Sequence, residues 1–412
     1  MLEHCVKGAD VGCEQDHPKD PFYTRGHIHS VRVLLVEPDY YTRYPPLGLL
    51  KLATMHRLRG DTVTLVRGTP EIGFAPDKIY VTSLFTYSWR AVHQAVRRYK
   101  ERYEGVPVSL GGIYASLLPE HARLCGPDDV HVGLYPEAED MMPAWDLVPE
   151  WDGSILFASR GCIRKCGFCS VPKLEGRPDA LKYGIRHLIW ETHTKVILWD
   201  NNILGNANWR SIFDELAEIG MEVDFNQGLD ARLITDEVAE KLARLRFYNI
   251  RIAYDYKGVG PYVKKALERM EAAGTARRRV VVYTLYNYID DPENFKTRVE
   301  EILTWGATSY PMRFEPLTSL TKNAYVSPKW NRDQLQQVAA ARRVMGFAGA
   351  FPPYEYLVRK LRRASRFDTA FRLRKAKAGR RRKKARNHIR PRWGGDLDWR
   401  MQKQRKLRLD RR

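Results

Sequence analysis

Along the chain, short apolar runs alternate with stretches in which apolar residues recur at helical spacing. Val31 to Val36 is a run broken only by Arg32 and ending at Glu37-Pro38-Asp39, which predicts a buried strand. Leu47 to Leu58 carries apolar residues three and four apart and is closed by Gly60-Asp61, which predicts a helix. Thr62–Val66, Ile79–Leu84, Val106–Leu110 and Val130–Val132 predict four more strands, with a helix over about Trp89–Arg102. This order predicts an open parallel sheet covered by helices on both faces. Ligands of such sheets bind at the carboxyl ends of the strands, here Pro38–Pro46, Ser83–Ser88, Gly111–Tyr114 and Gly133–Glu137.

A second alternating series fills 149–325. Ser154 to Ser159 is an apolar strand running straight into Arg160, and Ala180 to Glu191 reads as the helix that follows. Val196–Trp199, Glu222–Asn226, Asn249–Ala253 and Val280–Leu285 are strands, each followed by a helical stretch, and Thr308–Phe314 is a sixth strand. Six strand–helix units predict a partial (β/α)6 barrel of the TIM type, again with functional groups at the carboxyl ends. Asp333–Met345 and Tyr354–Arg374 then read as helices. The expected organisation is a polar extension (1–30), a Rossmann-like sheet (31–148), the partial barrel (149–325), a helical region (326–370) and a basic tail (371–412).

The chemistry concentrates where the first barrel strand ends. Cys162, Cys166 and Cys169 stand in the stretch Gly161-Cys-Ile-Arg-Lys-Cys-Gly-Phe-Cys169, spaced Cys-x3-Cys-x2-Cys. Thiolates are soft ligands suited to zinc or iron–sulfur centres. No second Cys or His pair follows closely to complete a zinc tetrahedron. Three ligands on a four-iron cluster leave one iron open for chemistry. The alternative is a structural zinc loop or a chance cluster. Of the remaining cysteines, Cys5 and Cys13 lie near His4 and His17, where a loose extension is the simpler reading than a metal site. With Cys125 they show no disulfide framework, which suits a reducing compartment.

This motif resembles the cluster loop of the radical SAM superfamily, Cys-x3-Cys-x-aromatic-Cys, with Phe168 on the aromatic position. The resemblance implies a [4Fe–4S] cluster on Cys162, Cys166 and Cys169, with the open iron binding S-adenosylmethionine (SAM). It further implies reductive cleavage of SAM to a 5′-deoxyadenosyl radical, and an electron donor such as a flavodoxin or ferredoxin. The first half resembles the cobalamin-binding-like (B12-binding-like) domain that precedes the radical domain in one large class. The matching stretches are Tyr44-Pro45-Pro46-Leu47-Gly48-Leu49-Leu50, Gly111-Gly112-Ile113-Tyr114-Ala115 and Gly133-Leu134-Tyr135-Pro136-Glu137-Ala138-Glu139. The last departs from the family's Gly-Glu-Gly-Glu. No Asp-x-His-x-x-Gly follows the first strand, so the histidine ligand to cobalt is missing. Many members of the class bind cobalamin without it, so the cofactor stays open, but the sequence favours a retained fold without cobalamin.

Polar residues gather at the predicted barrel-strand ends: Asp200-Asn201-Asn202, Asn226-Gln227 with Asp230 and Arg232, Tyr254-Asp255, Tyr286-Asn287, and Arg313 with Glu315. In the family such groups contact SAM, and the resemblance carries that role to Asp200, Asn202, Arg232 and Asp255. Helix capping or loop ion pairing is the competing account for each of them.

Charge changes the picture only at one end. Phe371 to Arg412 holds 19 Lys and Arg against three Asp, most of the whole chain's formal net charge of +20. Arg380, Arg381, Arg382, Lys383, Lys384 and Arg386 form its densest part, and Trp393 and Trp399 add stacking surface. Phosphate backbones are the natural partner, so the tail predicts nucleic-acid binding. A solvated tail, a ribosome or an anionic membrane are the competing partners. No apolar run is long enough to span a membrane, and residues 1–30 lack a signal pattern, which predicts a cytoplasmic protein. Three functions follow: a radical SAM enzyme modifying RNA or DNA, the same core acting on a peptide or small molecule with a localising tail, or a nucleic-acid-binding protein with a structural metal loop.

Overall fold

The computed structural model describes residues 30–373 apart from 177, 178 and 181–183. The extension with Cys5 and Cys13, and the tail residues Arg380, Arg381, Arg382, Lys383, Lys384 and Arg386, lie outside the described residues.

The first sheet is built from β1 (Arg32–Glu37), α1 (Leu47–Leu58), β2 (Thr62–Arg67), β3 (Lys78–Ser83), α2 (Trp89–Arg102), β4 (Val108–Gly112), the short α3 (Ile113–Leu117) and α4 (Pro119–Arg123), and β5 (Asp129–Val130). Its strands are parallel in the order β2-β1-β3-β4-β5. The expected strands and both long helices are present. Alternation along β1 explains the two faces. Val33 and Leu35 pack with Leu49 and Ala53 of α1, whereas Leu34 and Val36 pack with Val92, Val96 and Tyr99 of α2. Burial on both faces is why β1 reads as an apolar run. The strand order reverses between β1 and β3, which opens a crevice at their carboxyl ends.

The second half begins with β6 (Ser154–Leu156), β7 (Ser159–Arg160), α5 (Val171–Leu174) and β8 (Asp179–Ala180). It continues through β9 (Lys195–Leu198), α6 (Trp209–Ile219), β10 (Glu222–Phe225), α7 (Asp236–Ala243), β11 (Ile250–Ala253), α8 (Gly260–Ala272), β12 (Val280–Tyr286), α9 (Pro292–Thr304) and β13 (Thr308–Arg313). The six main strands are parallel and neighbour one another in chain order, as a partial barrel requires, but among the described residues they form two sheets, β10-β9-β6 and β11-β12-β13. Two isolated bridges, Glu222 to Arg246 and Leu229 to Ile252, link the β10 and β11 segments. The ladder breaks because the chain turns at Asn226–Gly228 before it reaches β11.

Three expectations need correction. The strand expected over Ser154–Ser159 is two, because Asp200 takes the amides at the break. The helix expected over Ala180–Glu191 is absent from its described part, which holds one 3-10 turn, Arg186–Leu188. Gly184 stands there in the left-handed region at φ +75°, and the Glu215 carboxylate accepts the N–H groups of Ile185 (3.0 Å) and Arg186 (2.8 Å). Those amides are therefore held by a side chain instead of by a helix. The helix expected over Tyr354–Arg374 is α11 (Glu355–Arg363) and α12 (Phe367–Phe371), broken where the Phe367 N–H turns to the Glu293 carboxylate. Its partner α10 (Arg332–Val344) is as expected, opened by a capping box between Asn331 and Gln334.

These C-terminal helices pack on α9 around Phe295, Trp330, Phe351 and Phe371. In α9 the fully buried Arg298 ties the carboxyl ends of two strands together. It donates to the carbonyls of Tyr254 (2.7 Å) and Leu285 (2.8 Å), to Asp290 (2.5 Å) and to Asn294 (2.9 Å). Replacing it leaves Asp290 buried without its cation, so Arg298→Ala is expected to cost about 3–5 kcal/mol in urea unfolding. A loss below about 1 kcal/mol would show that this edge of the sheet is held by something else.

Candidate functional site

Past β6 the chain is pinned by a buried carboxylate. Asp200 accepts the N–H groups of Ala158 (2.9 Å) and Ser159 (2.6 Å) and the Ser159 hydroxyl (2.7 Å). The chain then enters β7, which pairs antiparallel with β8. Glu175, just past α5, fixes the other side of the loop. Its carboxylate accepts the Gly161 N–H (3.0 Å) and the Asn201 amide (2.9 Å), and pairs with Arg160 (3.3 Å). Between these two grips lie the three cysteines.

Cys169 N–H donates to the Cys166 carbonyl (3.0 Å), and Arg164 N–H approaches the Cys162 sulfur (3.3 Å). Beneath the loop, Ile163 rests on the 3-10 turn at Ile203–Gly205. A Cβ at Gly167 would lie 2.7 Å from the Tyr288 hydroxyl, so a side chain there would push that ring aside. All three thiols are part-exposed. Burial pushes the Cys166 and Cys169 thiols up, and the neighbouring loop sulfurs and Asp255 add to the rise, while Arg232 opposes it at Cys166 and a Val171 backbone hydrogen bond opposes it at Cys169. Ionising thiols crowded in this way needs a cationic centre among them to offset the charge.

The structure gathers Phe168, Arg232 and Asp255 around these thiols. Phe168 packs edge-on against Tyr288 (5.7 Å), which in turn packs on Phe314 (4.6 Å). Arg232 forks onto Asp230 at 2.7 and 3.0 Å, and Asp230 also receives Arg164 from the cysteine loop (2.9 Å). Asp255 has its carboxyl pushed up to about 6 by burial, against the pull of Arg298 and Arg232. Asp200 and Asn202 lie lower. Both Asp200 oxygens serve the loop backbone, and Asn202 is buried before the 3-10 turn with its Oδ1 unpartnered among the described residues.

Residues not singled out from the sequence join the two halves. Arg160 forks onto Glu139 (2.7 and 3.1 Å) and lies over the Phe157 ring. Lys51 of α1 donates to the Glu139 carbonyl (2.5 Å), and burial pushes its amine down to about 8. A cavity of about 690 Å³ opens beside this network. Its mostly apolar wall includes Tyr40 past β1, Ser83 and Gly112 at the ends of β3 and β4, and Trp199 and Asn226 past β9 and β10. Arg160 and Ser170, on either side of the cysteine loop, complete it. The only sequence signals were Arg160's place before Gly161 and Glu139's place in the Gly-Leu-Tyr-Pro-Glu-Ala-Glu stretch.

The donor set fits a four-iron cluster with one iron left open. The other described cysteine, Cys125, is buried in the first sheet's core with its thiol on the Ala122 carbonyl. Among the described residues no three His, Cys, Asp or Glu side chains, the three loop cysteines included, are placed to hold a single ion.

No family model and no curated protein matches the chain. Solved structures do. The radical S-adenosylmethionine methyltransferase TsrM from Kitasatospora setae, with cobalamin and a [4Fe–4S] cluster bound, superposes with a TM-score of 0.55 at 13% identity. That match covers 69% of this chain and 75% of the other. The chain has the fold of that enzyme. A second TsrM structure, with tryptophan substrate and the SAM analogue aza-SAM, gives 0.53 at 13% identity over 69% and 73% of the two chains. The likeness is one of fold, over 69% of the chain. No described helix is long and apolar enough to cross a membrane.

The Asp200 carboxyl, pushed up from 3.8 to about 6 chiefly by burial, makes a pH prediction. A carboxylate whose folded pKa is raised binds its proton more tightly when folded, so its contribution to stability falls as pH rises from about 4 to about 6 and is level above that. Urea unfolding of the metal-free protein across this range is expected to show that decline, and Asp200→Asn to flatten it. An unchanged slope in the variant would assign the decline to other groups.

Proposed function

We propose that the chain is a radical SAM enzyme whose cluster is held by Cys162, Cys166 and Cys169. The observation that carries this reading is the position of the three part-exposed thiols. They lie on one pinned loop at the carboxyl edge of six parallel strands, beside a cavity shared with the first sheet. A [4Fe–4S] cluster bound there supplies the electron that cleaves SAM to a 5′-deoxyadenosyl radical. Asp255 and Arg232 are the groups for the amino and carboxylate ends of SAM, by charge. Phe168, Tyr288 and Phe314 wall the loop from water on one side. Asp200 and Asn202 act through the loop they support. A flavodoxin or ferredoxin is the electron donor in this reading.

The cavity changes the weight given to cobalamin. The sequence lacks the histidine ligand, but the cavity lies in the size range of cofactor sites and opens at the strand switch point. With the likeness of fold to a cobalamin-bound structure, this supports a corrinoid occupying the cavity, with no side-chain ligand from the loop after β1.

For the substrate we infer a nucleic acid, on the charge of the tail. The second reading, a small-molecule substrate, is favoured by the cavity itself, whose volume of about 690 Å³ and mostly apolar wall suit a small molecule.

Anaerobic reconstitution with iron and sulfide, reduction, and assay of 5′-deoxyadenosine with and without RNA or DNA tests these readings together. Production stimulated by one polymer is the expected result. Slow production indifferent to polymers would move the substrate to the small-molecule class. Cys162→Ala, Cys166→Ala and Cys169→Ala are each expected to abolish cluster absorbance and cleavage, and cleavage retained in any of them would overturn the cluster assignment. Cobalamin added during reconstitution is expected to co-purify with the protein and show its corrin absorbance; a spectrum free of it would return the cavity to the substrate.

A further inference from the structure

We propose that the folded C-terminal helices carry a docking surface for an unpaired nucleic-acid strand. It is formed by exposed arginines on and after α11 and an exposed tyrosine pair at its start. The inference rests on the nucleic-acid reading above and extends it from the tail into described residues.

The surface follows from how α11 is buried. Leu357 and Leu361 face the core shared with α9, which leaves Arg359, Arg362 and Arg363 outward. Arg366, before α12, and Arg372, after it, are exposed as well, as is Arg343 at the end of α10. From Phe347 to Leu373 there are two acidic residues, Glu355 and Asp368. Glu355 faces Arg359 at 3.7 Å, and Asp368 accepts from Gln337 at 3.0 Å. Arg343, Arg362, Arg363 and Arg366 have no acidic partner among the described residues. Unpaired guanidinium groups repel one another until a polyanion neutralises them, and their planar forks match phosphate oxygens.

The second observation concerns bases. Tyr354 and Tyr356 are 45% and 53% exposed, and their rings lie nearly parallel (22°) with centroids 6.0 Å apart. Exposed ring faces beside phosphate-binding groups form a stacking platform for unpaired bases. A membrane would need α11 to offer an apolar face, and that face is already buried in the core.

The surface adjoins the catalytic edge. Glu293, in the first turn of α9, receives the Phe367 N–H at 2.8 and 3.0 Å, so Arg366 stands beside that turn. The loop leading into α9 carries Tyr288, which packs on Phe168 of the cysteine loop. A strand held here lies beside the turn that leads to Tyr288 and the cysteine loop.

The test uses the full-length protein and a labelled single-stranded oligonucleotide, as RNA and as DNA, with fluorescence anisotropy over a range of salt. Changing Arg362, Arg363 and Arg366 together to Gln is expected to lower the salt slope by about two, at roughly 0.7 for each single-strand phosphate that is no longer neutralised. Tyr354→Ala with Tyr356→Ala is expected to weaken single-strand binding about tenfold, to leave the slope unchanged and to leave duplex binding unaffected. All five side chains are exposed, and circular dichroism checks that the fold is kept. Wild-type binding and slope in both variants would overturn the proposal. So would phosphatidylserine vesicles that compete as well as the strand and are bound alike by the tyrosine variant, since the surface would then be a membrane contact. If strand binding depends on these residues while 5′-deoxyadenosine production ignores polymers, the surface stands and the substrate reading falls.

Discussion

A buried carboxylate decides where the first strand of the second half stops, and the cysteine loop depends on that stop. Asp200 closes the second strand of this half, yet both its oxygens serve the backbone of the first. An anion in this position is costly, and the raised proton affinity of Asp200 measures that cost. Two backbone amides and one hydroxyl offset it. The loop that follows therefore leaves the sheet at a defined point and direction, and its three sulfurs take their places from the chain on either side. Nothing in the thiols themselves could set those places, because thiols hydrogen-bond weakly.

The second constraint is an ion network that crosses between the halves. Lys51 and Glu139 come from the first half, Arg160, Glu175 and Asn201 from the second, and the network ends on the Gly161 N–H next to the first cysteine. Buried ion pairs add little net stability compared with apolar packing, but breaking one partner is expensive. Their effect here is on geometry: the first sheet cannot shift against the cysteine loop without uncovering a charge. The apolar part of the same junction, with Leu47, Leu50, Ile155, Phe157 and Ile197, supplies the cohesion.

Much of this is legible in the sequence wherever burial imposes a period. β1 buries both faces and reads as an apolar run; α2 buries one stripe, and α1 two, Leu49 and Ala53 on the sheet and Leu47 and Leu50 at the junction, and both read at helical spacing within their observed bounds. The thiol spacing is legible for the same reason, since the whole ligand set lies on one local loop. Ala180–Glu191 misleads because its apolar residues fit a helical stripe, while the cause of its turn, Glu215, lies about thirty residues away. Glu175, Glu139 and Tyr288 escape on similar grounds. Their partners come from distant elements, and an isolated Glu or Tyr carries no period. The cavity is legible in part: the strand ends Pro38–Pro46, Ser83–Ser88, Gly111–Tyr114 and Gly133–Glu137 all contribute to its wall, as do Asn201 and Asn226, but that the two sets of ends face one another has no local signal.

The parallel topology makes that cavity a consequence of the fold. A parallel sheet gathers its loops, and thus its ligands, at one edge. Here two such edges meet: Tyr40, Ser83 and Gly112 line the cavity from the first sheet, Trp199 and Asn226 from the second. The cysteine loop emerges at the same junction, with Arg160 and Ser170 forming part of the cavity wall. Whatever binds in the cavity is therefore separated from whatever binds at the thiols by the thickness of one loop. A chain that needed only one ligand would gain nothing from joining the edges through buried charges, whose desolvation is paid in full. The arrangement makes sense for two ligands that must react with each other or act in turn on a third.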